Sequence, residues 1–247
     1  MNLIDYENFY NKVGKENGWD FSKLKVMTEG VQWDFYEEVK SKSQASDVLL
    51  DIGTGGGENL LKIAPYFLLL IGIDLSHEMV ARAQSNLNKT RESNVRLFQM
   101  SSEDIQFPKE FFDVITCRHA PFSAREVAKV LKAGGFFLTQ QVGEGDKFNL
   151  KNAFNVPLKS NDGTLKEKYM KELMEAGFMN IQSYDYNAIE YYQSPEDLIF
   201  LLKHTPIIPN FGANKQDFET LKHFIKDNQT KKGIQTNSQR FLIVAKK

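Results

Sequence analysis

From about residue 47 to residue 142 the chain alternates short apolar runs with stretches of helical spacing. That alternation predicts a parallel sheet whose strands are joined by crossover helices. Strands are expected at residues 48–50, 68–73, 95–99, 112–116 and 136–142, and helices at 58–64, 76–87 and 124–131. Pro65 closes the first helix, because proline lacks the N–H that a helix interior needs. Ser76 offers a capping oxygen to the second. Ala133-Gly134-Gly135 reads as a helix stop and a turn into the fifth strand.

Outside this stretch the pattern changes. Residues 3–40 carry apolar positions spaced as in two amphipathic helices, broken at Gly18-Trp19-Asp20. A polar segment follows Gly143, then a helical pattern at 164–176 and a strand-like run at 181–191. Residues 195–230 read as helical cover interrupted by Pro206, Pro209 and Gly212, and 241–245 as a final apolar strand. The fold class expected is α/β, Rossmann-like, in one domain over residues 1–247. Within it, 1–42 would form a helical cap and 43–145 the ligand-binding core. Residues 146–247 would supply a cover at 193–232 and a last strand at 240–246.

Charge and cysteine content narrow the partners. The 31 Lys and Arg residues nearly balance 32 Asp and Glu, for a formal charge of -1. No whole-chain electrostatic footprint for nucleic acid or an anionic membrane results. The single cysteine, Cys117, forbids an internal disulfide and fits a reducing compartment. Asp5, Glu7 and Lys12 interrupt the apolar run that a secretory leader would need, so a cytoplasmic location is expected. The longest apolar stretch, 66–71, is too short to span a bilayer.

Candidate chemistry concentrates at Asp51-Ile52-Gly53-Thr54-Gly55-Gly56-Gly57-Glu58, between the first strand and the first helix. Glycines let backbone turn sharply and approach a ligand closely, and a following helix start offers free N–H groups. A dinucleotide loop would need G-x-G-x-x-G. Counting from Gly53 puts Glu58 at the third glycine, and counting from Gly55 puts Leu60 there. Neither frame fits. Asp51, at the strand end, would crowd a pyrophosphate and suits an amino-acid-like ligand with a cationic amine. Asp74, in Gly72-Ile73-Asp74-Leu75-Ser76 at the end of the second strand, stands where a carboxylate can accept both hydroxyls of a ribose. It would otherwise serve as a turn or capping residue.

These motifs resemble class I S-adenosylmethionine (SAM)-dependent methyltransferases. The stretch from Val48 through Gly57 looks like their first motif, and Gly72 to Ser76 with Met79 like the ribose-binding motif. Met100 to Phe107 falls where that family carries its adenine-side loop, Phe111 to Ile115 resembles the fourth strand, and Glu126 to Phe137 the helix and turn before the fifth. The resemblance covers about residues 45–142. It implies a seven-stranded sheet whose last strand is antiparallel, with SAM as cofactor and S-adenosylhomocysteine as product. It further implies that Gly53, Thr54, Gly55 and Gly57 surround the methionine part, that Asp51 reaches its amine and that Asp74 holds the ribose. Leu75 and Met79 would pack near the adenine, with Ser102 and Glu103 beside its edge. Ser101 stands where the family often has an acid, so Ser101, Glu103 or a backbone carbonyl must take that contact.

Methyl transfer from a sulfonium needs alignment first, and a base only when the acceptor must lose a proton. The loop Thr116-Cys117-Arg118-His119-Ala120-Pro121-Phe122 after the fourth strand is the place for it. His119 is the candidate base or acceptor-orienting group, and Arg118 would hold an acidic acceptor or the cofactor carboxylate. Cys117 packs rather than reacts. Tyr6, Tyr10, Trp19, Trp33, Tyr192, Phe200 and His204 would roof the acceptor, with Gln140 and Gln141 adding hydrogen bonds. The four scattered histidines have no metal-ligand spacing. Balanced charge and the lack of an appended RNA-binding module favour a small-molecule acceptor over RNA or tRNA, with no DNA or membrane partner expected. A SAM-binding module without catalysis is the reading from another class.

Overall fold

The computed structural model describes residues 8, 11–13, 15, 21, 24–157 and 163–247. One nine-stranded sheet runs through them: β1 (Val26–Glu29), β2 (Val48–Ile52), β3 (Leu69–Asp74), β4 (Val95–Gln99), β5 (Phe112–Arg118), β6 (Leu131–Val142), β7 (Met179–Tyr192), β8 (Gln229–Thr230) and β9 (Gly233–Lys246). Their spatial order is β1-β7-β9-β6-β5-β2-β3-β4, with β8 paired to β9. Strands β4, β3, β2, β5 and β6 are mutually parallel, and β9 inserts antiparallel between β6 and β7. The expected seven-stranded arrangement is the centre of this sheet; β1 and β8 extend it to nine.

Period-two alternation sorts the core strands into two layers. Leu50, Ile71, Ile115 and Phe137 face one side, where Val127 and Val130 of helix α4 (Ala124–Val130) and Leu173 of α6 (Leu165–Glu175) cover them. Leu49, Leu70, Val114 and Leu138 face the other side, under Phe35 and Val39 of α1 (Phe35–Ser41) and Leu60 and Ile63 of α2 (Leu60–Ile63). Burial on both faces explains why these strands read as nearly continuous apolar runs. Helix α3 (His77–Leu87) opens as expected, with Met79 N–H donating to Ser76 Oγ at 3.2 Å.

Several expectations give way to the structure. The helix expected at 58–64 is a single α-turn, α2, followed by a 3-10 turn at Ala64–Tyr66 with Pro65 inside it. Asn59 supplies no side-chain cap, and Pro65 cannot donate to a longer ladder. The helix expected to reach residue 131 stops at Val130, and Leu131 already pairs with Phe112 as the start of β6. Ala133-Gly134-Gly135 therefore lies within the strand, at a register shift between Phe112 and Val114. A Cβ on Gly135 would come within 2.8 Å of the Asp113 carbonyl, so the close approach of β5 requires glycine there.

The cap expected to be helical over 1–42 contains a strand. β1 pairs antiparallel with β7, from Val26 opposite Tyr192 to Glu29 opposite Ile189, and a helix resumes only at Phe35, capped by Asp34. Helices α5 (Phe148–Ala153), α7 (Pro195–His204) and α8 (Lys215–Asn228) form a third core with Tyr192, Ile208 and Ile234.

Candidate active site

The chain runs from β2 outward to β3 and β4, then returns to place β5 on the other side of β2. Such a reversal leaves a crevice beyond the carboxyl ends of the strands, where open α/β sheets bind ligands. Here Asp51, Gly53, Thr54 and Gly55 after β2, Asp74, Leu75 and Met79 after β3, Ser101, Ser102 and Glu103 after β4, and Arg118 and His119 at the end of β5 all line one crevice. The sequence-predicted residues thus converge, with one exception. Gly57 is not among the lining residues; it faces α3, where an added Cβ would meet the Ala83 Cβ at 3.3 Å.

The glycine loop is held from β3. Gly53 and Thr54 N–H groups both donate to the Ile73 carbonyl, at 2.9 and 3.0 Å, and Gly55 N–H donates to Asp74 Oδ2 at 2.8 Å. Gly53 has φ +73, and an added Cβ would collide with that of Ala120 across the crevice. Asp74 Oδ1 accepts from Ser76 N–H at 2.9 Å. The turn-residue reading of Asp74 is therefore part of the truth, yet a carboxylate has about four lone-pair positions, and these two bonds leave others free.

Asp51 is nearly enclosed, and Thr116 Oγ1 donates to its Oδ1 at 2.7 Å. Burial pushes its carboxyl up to about 6, against the pull of the Thr116 hydroxyl. Burial also raises Asp74, opposed by the backbone N–H groups it accepts from. A cationic group in the crevice would relieve both. The buried Thr54 hydroxyl lies near enough to Asp51 to oppose the rise of its carboxyl but makes no full hydrogen bond among the described residues, a place that a polar ligand would fill. This donor and acceptor set fits the amino-acid and ribose parts of SAM. Met79 lies buried beneath the crevice, and Ser101 Oγ already accepts from Glu103 N–H at 3.1 Å on its rim.

The β5 end carries the basic groups. Arg118 makes no ion pair among the described residues; its Nε is buried and unpartnered, and its guanidinium carbon lies 5.7 Å from the Tyr36 ring centre. His119 adopts φ +59, a conformation rare outside glycine, with its N–H on the Gln140 carbonyl at 2.9 Å. Its ring meets the Gln140 amide nitrogen at 3.1 Å, and Gln140 Oε1 accepts from the Trp33 indole N–H at 2.8 Å. Burial, then the positive charges of Arg118 and Arg240, hold the imidazole well below its ordinary pKa. His119 is therefore neutral near pH 7. Cys117 is buried and its thiol donates to the Ala120 carbonyl at 3.1 Å, as packing rather than reactivity demands.

The expected aromatic roof divides. Tyr6, Tyr10 and Trp19 lie outside the described residues. Trp33 reaches the site through Gln140, whereas Gln141, on the opposite face of β6, donates to Thr139 Oγ1 and the Ala120 carbonyl. Tyr192 belongs to the third core, the Phe200 and His204 rings lie tilted against each other with centres 4.3 Å apart, and none of these three lines the crevice. The helices at 195–204 and 215–228 thus build their own core with β7 and β9. Tyr36 does line the crevice and was not foreseen; its signal is its place three residues after Trp33, at helical spacing. Near the N-terminus, Asn11 Oδ1 accepts from Ser76 Oγ at 2.7 Å.

Comparison with known proteins bears on this crevice. Residues 49–135 match the family model described as a methyltransferase domain. Over 105 residues, 40% of this chain and 42% of the relative, the chain is 40% identical to the uncharacterized methyltransferase YcgJ of Bacillus subtilis. The crystal structure of that protein superposes with a TM-score of 0.64 at 25% identity, covering 86% of this chain and 97% of the other. Phosphoethanolamine N-methyltransferase 2 of Caenorhabditis elegans is 30% identical over 152 residues, 55% of this chain and 33% of its own. The matches thus span less than half the length of these two relatives. A Haemonchus contortus phosphoethanolamine N-methyltransferase 2, solved with phosphomonomethylethanolamine and S-adenosylhomocysteine, shares the fold at a TM-score of 0.55 and 20% identity, over 86% of this chain and 52% of that one.

Proposed function

We propose that this chain, which belongs to the class I SAM-dependent methyltransferase superfamily, binds SAM in the crevice and passes its methyl group to a small-molecule acceptor. One observation carries the reading: two carboxylates, the buried Asp51 and the half-buried Asp74, flank a glycine loop whose Gly55 N–H is tied to Asp74 at 2.8 Å. When bound, the sulfonium supplies an electrophilic methyl group and departs as a thioether.

The residues of this chain bind and orient. Asp51 holds the amine end, where a cation offsets the cost of a buried carboxylate. Gly53, Thr54 and Gly55 lie along the methionine part, and Gly57 supports them by letting the loop settle against α3. Asp74 accepts the ribose hydroxyls with the lone pairs its backbone bonds leave unused. Leu75, Met79 and Met100 pack against the adenine, with Ser101, Ser102 and Glu103 at its polar edge. Arg118 and His119 face the acceptor side.

The small-molecule reading draws support from the chain's balanced charge. Two of the relatives above carry names for small-molecule methylation. The test is incubation with methyl-labelled SAM and fractionated cell extract. Label is expected in a low-mass fraction; label confined to nuclease-sensitive material would replace the small molecule with RNA.

A further inference from the structure

We propose that Arg118 and His119 form a donor-only corner for an oxyanion, and that Trp33 and Gln140 are positioning residues that hold His119 as a donor. The inference rests on the cofactor reading above and names what the basic side of that crevice takes.

The argument starts at Trp33. An indole N–H can only donate, so the amide atom it meets at 2.8 Å is the Gln140 oxygen. The other end of the same amide is then an NH2 group, which also can only donate. It lies 3.1 Å from His119 Nε2, which must present a lone pair. A neutral imidazole has one proton, so that proton sits on Nδ1. Among the described residues no hydrogen-bond partner for Nδ1 is found, and the residue lines the crevice.

Arg118, its chain neighbour, lines the same crevice with no ion pair among the described residues and a buried, unpartnered Nε–H. Asp51 is near enough to be felt but spends one oxygen on Thr116 and forms no salt bridge with Arg118. The Tyr36 hydroxyl shares a hydrogen bond with the guanidinium but leaves its Nε–H without a partner among the described residues. Two adjacent donors left in this way suit an oxygen-bearing anion, for which a guanidinium is the best single partner. In this tautomer His119 has no lone pair at Nδ1 to take a proton, and the lone pair on Nε2 is engaged by the Gln140 NH2. Its part is to donate, so the acceptor atom attacks with a lone pair it already has or loses its proton elsewhere.

The oxyanion has two sources, the carboxylate at the amino-acid end of the cofactor or an acidic group on the acceptor. Calorimetry with the purified protein separates them, using S-adenosylhomocysteine and 5′-methylthioadenosine, which lacks the amino-acid end. If Arg118→Met weakens the first ligand about tenfold or more and leaves the second unchanged, the anion is the cofactor's. If neither changes, inorganic phosphate and acetate are titrated into the protein with and without S-adenosylhomocysteine, following the His119 ring nitrogens by NMR. A saturable shift that Arg118→Met abolishes and Arg118→Lys partly restores assigns the anion to the acceptor.

Gln140→Glu removes the NH2 donor and is expected to move a proton onto Nε2, visible in the same spectra. The proposal is overturned if Arg118→Met, folded by circular dichroism, changes neither ligand nor the anion response. It is equally overturned if wild-type His119 carries its proton on Nε2. Failure of the wild type to bind S-adenosylhomocysteine would count against the cofactor reading alone, because the phosphate titration proceeds without it.

Discussion

Thr116 on β5 lies directly opposite Asp51 on β2, and its hydroxyl donates to the Asp51 carboxylate at 2.7 Å. Both side chains are buried at the point where the strand order reverses. The bond stabilises the ionised carboxylate, yet burial outweighs it and the carboxyl rises from 3.8 to about 6. A ligand ammonium would complete what Thr116 begins.

The pH dependence follows with a definite sign. Because the folded chain holds the Asp51 proton more tightly than the unfolded chain, its contribution favours folding below about pH 4 and is lost as pH rises through about 6. The full swing is on the order of 3 kcal/mol. Without ligand, the wild-type melting temperature should fall between pH 5 and pH 7.5 relative to Asp51→Asn. Parallel melting curves for the two proteins would show that this carboxyl is not the source.

Gly53 has φ +73 and no room for a Cβ beside Ala120. Gly53→Ala should destabilise the fold by about 1–3 kcal/mol and remove S-adenosylhomocysteine binding. Thermal denaturation with calorimetry reads both effects. A variant that melts and binds as the wild type does would mean that the loop relaxes at no cost.

Lys147 is almost fully buried; its ammonium meets Glu190 at 2.8 Å and Asp146 at 3.7 Å, and Arg240 meets Asp146 at 2.6 Å. Lys147→Met leaves Glu190 without its cation, which should cost about 3–5 kcal/mol. Urea unfolding measures this. Loss of less than about 1 kcal/mol would show that water reaches the cluster.

Burial raises the Cys117 thiol well above its usual range. In the native protein it should react with a disulfide reagent at least about a hundredfold more slowly than in the denatured chain. Equal rates would contradict a closed packing around β5.

The five parallel strands were legible because burial on both faces makes them apolar throughout, and the glycine turn because it breaks that pattern. β1 was not. Met27, Thr28 and Glu29 are exposed and pair with β7 through backbone alone, so nothing in their side chains marks a strand. β7 and β9 also exceed their apolar segments, since 12 Cα pairs from Met179 opposite Lys246 to Tyr192 opposite Ile234 include polar partners such as Asn187 with Gln239. At the site, Asp51, Asp74 and the loop were visible by spacing. The Trp33–Gln140–His119 chain was not, because its members are 107 and 21 residues apart and only folding joins them. Tyr192, Phe200 and His204 misled for the same reason: an aromatic at helical spacing reveals that it is buried, not against what.

The central claim is that Asp74 and the glycine loop hold the adenosyl ligand. Calorimetric titration of S-adenosylhomocysteine into the wild type and Asp74→Ala tests it most directly. Saturable one-to-one binding by the wild type is expected, weakened about a hundredfold in the variant through loss of charge-assisted hydrogen bonds. Equal affinity in both proteins, or no binding by the wild type, would contradict it.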